Sequence, residues 1–196
     1  VSSSPSAAAS VVNVANAVTL LRLALIPVFV AFVVASRMTD PTWRIAAAVA
    51  FGVASFTDFV DGWLARWLDQ VTSFGKVADP IADKALTGAA LVLLSAYQAL
   101  PWWVTVVILV REIGVTLVRF WVIRYGVIAA SRGGKAKTVL QIAAIVWYLL
   151  PWPAPLDLLG LWIMGLAVVV TVLTGVDYAF RALALRRSAR PETGGR

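Results

Sequence analysis

The chain contains neither cysteine nor histidine. These absences exclude disulfide frameworks, thiol nucleophiles, histidine general bases, and zinc or c-type haem held by those side chains. Charge is also scarce, at 14% of residues against about a quarter in soluble domains. Hydrophobic residues make up 61%, which rules out a soluble globular enzyme, and nine tryptophans rule out a disordered or collagen-like chain. What remains is a membrane protein whose chemistry must use carboxylates, hydroxyls, amides and bases. The formal net charge of +7 then points to an anionic membrane surface and anionic substrates rather than to nucleic acid.

At about 20 residues per span, six spans need roughly 120 residues, so 196 residues hold one six-span bundle with no second domain. The small, polar opening VSSSPSAAAS lacks the basic region of a cleavable signal and is read as a flexible lead-in over 1–15. The bundle covers 16–183 and a basic cytoplasmic tail covers 184–196. Expected spans are 17–36, 44–65, 75–99, 102–125, 136–150 and 156–182. Residues 85–110 carry no charge, and hydropathy alone makes them one span. That choice would divide the basic loops between both membrane faces, whereas a hairpin at Leu100-Pro101 gathers them on one, as positive-inside statistics require. The expected fold is therefore all-α and integral to the plasma membrane, with both termini and the 66–84 and 119–137 loops cytoplasmic. Trp102, Trp103, Trp147 and Trp152 then form an interfacial belt on the other side. Arg22 lies close enough to the end of its span to snorkel.

Five of the ten acidic residues fall between positions 58 and 83. Asp58 and Asp61 are three apart and Asp79 and Asp83 four apart, spacings that stack side chains on one helical face. Four converging carboxylates repel one another unless cations compensate. Two Mg²⁺ or Mn²⁺ ions suit them, because hard cations take oxygen ligands and leave positions for water and phosphate oxygens. Gly62 and Gly75 flank the acids, each at a cost of about 1 kcal/mol relative to Ala. Either they let a ligand approach the backbone, with small Ala65 on the same stripe, or they serve plain helix packing. Arg66, one turn beyond Gly62, either points a cation at a diphosphate or anchors the loop. Asp69 is read as a solvated loop acid, and Asp177 as the partner of Arg181 at i+4.

The array Asp58-x2-Asp61-Gly62-x2-Ala65-Arg66-x8-Gly75-x3-Asp79-x3-Asp83 resembles the complete signature of the CDP-alcohol phosphotransferase family. The resemblance implies a six-span membrane enzyme that transfers a substituted phosphate from a CDP-linked donor to an acceptor hydroxyl and releases CMP. It implies that Asp58, Asp61, Asp79 and Asp83 hold the metals, with Asp83 also the candidate general base; base and ligand remain open for that residue. Gly62, Ala65, Arg66 and Gly75 would shape the CDP pocket, and the family implies a homodimer.

A phosphorylated acceptor needs cations near the metals. Arg111-Glu112 sits midway along a span, where charge is costly unless it faces a cavity or a partner; a structural Arg–Glu pair is the plain alternative. Arg119 follows two turns later, and Lys135 and Lys137 open the next span, so that all could line one anion pocket. Arg124 and Arg132 are read as lipid-headgroup contacts. The stretches Asn13-x2-Asn16-x2-Thr19-x2-Arg22, Arg111-Glu112-x6-Arg119 and Gly134-Lys135-x-Lys137-Thr138-x2-Gln141 are similar to the branch in which CDP-diacylglycerol donates a phosphatidyl group to sn-glycerol 3-phosphate. That likeness adds Thr19 and Arg22 to the expected acceptor site, whose active face is cytoplasmic. Ala15 departs from the proline frequent there. A sister enzyme with inositol phosphate or another alcohol as acceptor is the alternative within the class, and a divalent-cation transporter is the alternative outside it.

Overall fold

A computed structural model describes residues 14–67, 73–122 and 132–188. Among them are six α-helices and no strand: α1 Val14–Ser36, α2 Pro41–Trp67, α3 Ser73–Ala96, α4 Trp102–Val122, α5 Arg132–Leu149 and α6 Asp157–Ser188. Asp69, Arg124 and Arg190 lie outside the described residues, as do the lead-in before Val14 and its Asn13. Two stretches, Thr19–Ser36 and Asp157–Arg186, are long and apolar enough to cross a membrane. Phe56, Phe120, Phe180 and Trp162 are all at least 66% exposed, an outward apolar surface of the kind that lipid covers. The chain divides within α3 into two compact units, Val1–Ala89 and Ala90–Arg196.

In the first unit, α1 and α2 form an antiparallel-type hairpin across a four-residue turn. Arg37 and Met38 take positive φ of 46° and 58°, which reverses the chain. Asp40 then caps α2, its Oδ1 accepting from the backbone N–H of Thr42 at 2.8 Å and of Trp43 at 3.2 Å. Pro41 follows at the first helical position, where its missing N–H costs nothing. Small Ala47, Ala50 and Ala54 are buried on α2 and allow α1 a close approach. Phe29 meets Phe51 with ring centroids 5.5 Å apart, and Phe32 meets Trp43 at 5.6 Å.

In the second unit, the break after α3 falls where the charge argument puts it. Gln98 N–H bonds to Ser95 O and Ala99 N–H to Leu94 O, with Gln98 at φ 60°. This is a left-handed helix stop made without glycine, and Pro101 prevents the helix from resuming. The hydroxyls of Ser95 and Thr105 sit 2.7 Å apart and Thr105 donates to Leu91 O at 3.1 Å, tying α3 to α4. Between α5 and α6, Trp147 stacks on Trp152 at 4.6 Å and donates Nε1 to Leu156 O. A Cβ on Gly160 would lie 2.9 Å from Trp147 Cδ1, so only glycine lets α6 pass the indole.

Three expectations need adjustment. α5 starts at Arg132, four residues ahead of the expected span, because the RGGKAK stretch continues helically despite its polarity. α6 runs through Ser188, so the first part of the basic tail is helical; at 1.5 Å per residue its 32 residues reach about 48 Å, longer than the hydrocarbon thickness. Arg22 does not snorkel. Its side chain is fully buried, as is that of Thr19 one turn earlier.

Candidate active site

The acidic signature spans the end of one helix and the start of the next. Asp58, Asp61, Gly62, Ala65 and Arg66 belong to the last three turns of α2, which stays helical through Trp67. Gly75, Asp79 and Asp83 belong to the first three turns of α3. The backbone thus carries both acid pairs at helical spacing on consecutive helices of one unit. Of this set the described side chains include only Asp83, which is half-buried; those of Asp58, Asp61, Gly62, Ala65, Arg66, Gly75 and Asp79 lie outside them. Among the described residues no three acidic side chains gather at one point. Carboxylate oxygens from four positions are the donors that Mg²⁺ and Mn²⁺ prefer.

The second polar centre joins α4, α5 and α6. Arg111 extends from α4 toward α6, donating from Nε to Thr171 O at 3.1 Å and from Nη2 to Thr174 Oγ1 at 2.9 Å. Its Nη1 meets Glu112 Oε1 at 3.0 Å. Lys137 of α5 donates to the same oxygen. One turn further along α5, Gln141 donates Nε2 to Thr171 Oγ1 at 3.0 Å. Thr171, Gln141 and Lys137 are all buried. A buried charge survives only when paired and hydrogen-bonded, and here one carboxylate serves two cations while a backbone oxygen and a hydroxyl oxygen accept from Arg111 Nε and Nη2.

Gly175 makes this possible. It follows Thr174 on α6, and the Arg111 stem runs across its missing side chain. Beside the network lies a cavity of about 300 Å³ between α4 and α6, whose walls are valines, glycines and alanine apart from Arg111 and Tyr178.

Of the expected acceptor residues, the structure brings Arg111 and Lys137 together on Glu112. Arg119 stands over the Tyr178 ring, 6.0 Å from its centroid. Lys135 is exposed whereas Lys137 is buried, as expected for residues two apart on a helix, which face different ways. Thr19 and Arg22 are buried on α1 in the other unit. Arg181 and Asp177 do form the expected pair, at 2.9 Å. Arg186 packs over Trp121 at 4.7 Å, which places the first arginine of the tail against α4. Sequence reasoning overlooks Thr171. The only trace it leaves is a three-residue spacing from Thr174 in an otherwise apolar run.

With both centres in view, the chain belongs to the CDP-alcohol phosphatidyltransferase family, whose profile it matches over residues 12–173. A Mycobacterium tuberculosis protein described as a probable phosphatidylglycerophosphate synthase is 49% identical over 175 residues, covering 89% of this chain and 84% of that protein. The CDP-diacylglycerol–glycerol-3-phosphate 3-phosphatidyltransferase of Bacillus subtilis is 39% identical over 182 residues, covering 85% and 93%. The Escherichia coli enzyme of the same description is 36% identical over 179 residues, covering 88% and 96%.

Proposed function

We propose that the chain transfers the phosphatidyl group of CDP-diacylglycerol to sn-glycerol 3-phosphate, giving phosphatidylglycerophosphate and CMP. The observation that carries this reading is the full acid signature on α2 and α3 in a chain similar, over most of its length, to enzymes described by that reaction. Asp58, Asp61 and Asp79 hold two divalent cations, Mg²⁺ or Mn²⁺, and Asp83 completes the set. Ions bound there would neutralise the donor diphosphate and the departing CMP. Asp83 takes the proton of the attacking hydroxyl as general base, which makes the transfer a single displacement with no covalent enzyme intermediate. Gly62, Ala65, Arg66 and Gly75 form the CDP pocket.

Arg111 and Lys137 receive the acceptor's phosphate, and Arg119 adds a further cation on α4. Guanidinium and ammonium groups are the natural partners of a phosphate dianion. In the same reading all six helices span the plasma membrane, both termini and the reacting face are cytoplasmic, and two copies form the working dimer. A water-soluble acceptor and a lipid donor meet at such an interface.

The test is CMP release from CDP-diacylglycerol by detergent-purified protein with Mg²⁺, comparing sn-glycerol 3-phosphate, inositol phosphate, inositol and serine, with EDTA controls. Release with glycerol 3-phosphate alone is expected. EDTA-sensitive release with a different acceptor would overturn the acceptor assignment, and no release with any of them would overturn the enzyme reading in favour of a cation carrier.

A further inference from the structure

A carboxylate is out of place among cations meant for a phosphate, yet Glu112 lies between two of them. Its Oε1 accepts from Arg111 Nη1 and from Lys137 Nζ, and its side chain is only 18% exposed. The two cations differ in freedom. Arg111 is fixed by α6 through Thr171 and Thr174, and three of the five guanidinium N–H groups are engaged. Lys137 is a point charge on a flexible four-carbon stem, and Glu112 holds it beside Arg111.

We infer that Glu112 is a positioning residue that also sets the charge selectivity of the acceptor pocket. It pins Lys137 Nζ against the fixed Arg111, and its own negative charge weakens the pocket for any anion that cannot outcompete a carboxylate. Without that carboxylate, two cations that now share one oxygen repel, and the more flexible one is held less closely beside Arg111. With it, the pair is assembled before the acceptor arrives, and a phosphate dianion carries enough charge to take over both cations where a monoanion or a neutral alcohol does not. Geometry and charge are thus two separable contributions of one side chain. The inference rests on Arg111 and Lys137 being the acceptor-phosphate residues.

Two variants of the full chain in detergent separate the contributions. Glu112→Gln keeps the shape and an acceptor oxygen but removes the charge; Glu112→Asp keeps the charge and shortens the reach. Binding of inorganic phosphate is measured by calorimetry, and kcat and both KM values by CMP release, with melting temperature as the folding control. Glu112→Gln is expected to bind inorganic phosphate about tenfold more tightly, since a nearby like charge is gone, and to lose about tenfold in kcat because a neutral amide oxygen holds Lys137 less firmly than a carboxylate does. The KM for CDP-diacylglycerol stays within about twofold in the same comparison. Glu112→Asp is expected to bind phosphate as the parent does and still to lose kcat.

Unchanged phosphate affinity in Glu112→Gln, or a parallel rise in the donor KM, would reduce Glu112 to a tie between helices and overturn the inference. Should Glu112→Gln fail to fold, Glu112→Asp decides: reduced kcat at unchanged phosphate affinity supports the inference, and unaltered kcat overturns it. A parent protein that binds phosphate in this pattern but does not use glycerol 3-phosphate would sink the acceptor reading and leave the role of Glu112 in anion binding standing.

Discussion

A Cβ placed on Gly175 would stand 3.0 Å from Arg111 Cγ and 3.3 Å from its Nε. Replacing that glycine therefore sets two effects against each other. Alanine favours the helix by about 1 kcal/mol, but the Arg111 stem must give way, and its guanidinium is held by Thr171, Thr174 and Glu112. Gly175→Ala is expected to leave the melting temperature nearly unchanged while raising the KM for the acceptor about fivefold to tenfold, as a displaced positioning group does. Gly175→Val should lose both stability and activity. Acceptor and donor KM values measured side by side check this, and an unchanged acceptor KM in Gly175→Ala would show that Arg111 does not contact the acceptor.

The aspartates give the sharpest contrast. Asp61→Asn and Asp79→Asn are expected to reduce turnover by more than about 100-fold, beyond the cost of losing an outer partner of a metal ligand. Asp69→Asn, outside the signature, should retain nearly full activity. Rates at saturating donor and acceptor over a Mg²⁺ titration provide the check. A loss in Asp69→Asn equal to the other two would move the boundary of the site into the α2–α3 loop.

The buried hydroxyl pair between α3 and α4 predicts a stability effect confined to the hairpin. Thr105→Val removes the donor to Leu91 O and leaves the Ser95 hydroxyl without its 2.7 Å partner. The expected cost is about 1 kcal/mol, because hydroxyl bonds between membrane helices are worth little more than that. Ser95→Ala combined with Thr105→Val should cost less than the sum of the two single changes. Thermal unfolding in detergent of the three variants tests this, and full additivity would show that the two hydroxyls do not interact.

What was legible in the sequence follows from how far apart in the chain the interacting residues lie. The acid pairs are local, three and four residues apart, so spacing alone puts each pair on one helix, as α2 and α3 do. The turn at Leu100-Pro101 was legible through charge: hydropathy runs unbroken across it, and only the need to keep Arg119 and Lys137 on the side of Lys76 and Lys84 demands a reversal. The centre joining Arg111, Glu112 and Lys137 was legible only in part. Arg111 reaches residues 60 and 63 positions away, and Lys137 meets Glu112 across 25, so no spacing rule links them. Polarity near a helix end suggested that Arg22 would reach water, yet full burial shows the protein interior to be its surroundings. The separation of exposed Lys135 from buried Lys137 likewise depends on how α5 is rotated, which a sequence of small and polar residues such as RGGKAK does not specify.

The stop after α3 offers a stabilising change away from the chemistry. Gln98 occupies the left-handed region at φ 60°, where a side chain costs about 1–2 kcal/mol and glycine costs nothing comparable. Its backbone N–H already closes the helix on Ser95 O, so the conformation is required whatever residue occupies the position. Gln98→Gly is therefore expected to keep the stop and gain about 1 kcal/mol, less a few tenths for the greater freedom of glycine in the unfolded chain. The melting temperature should rise by a few degrees with kcat and both KM values unchanged, since Gln98 lies at the hairpin tip far along the chain from both polar centres. Gln98→Val should do the reverse, because a β-branched side chain is the least tolerant of positive φ. If Gln98→Gly were to melt below the parent protein, the Gln98 side chain would be making a contact that outweighs its backbone strain.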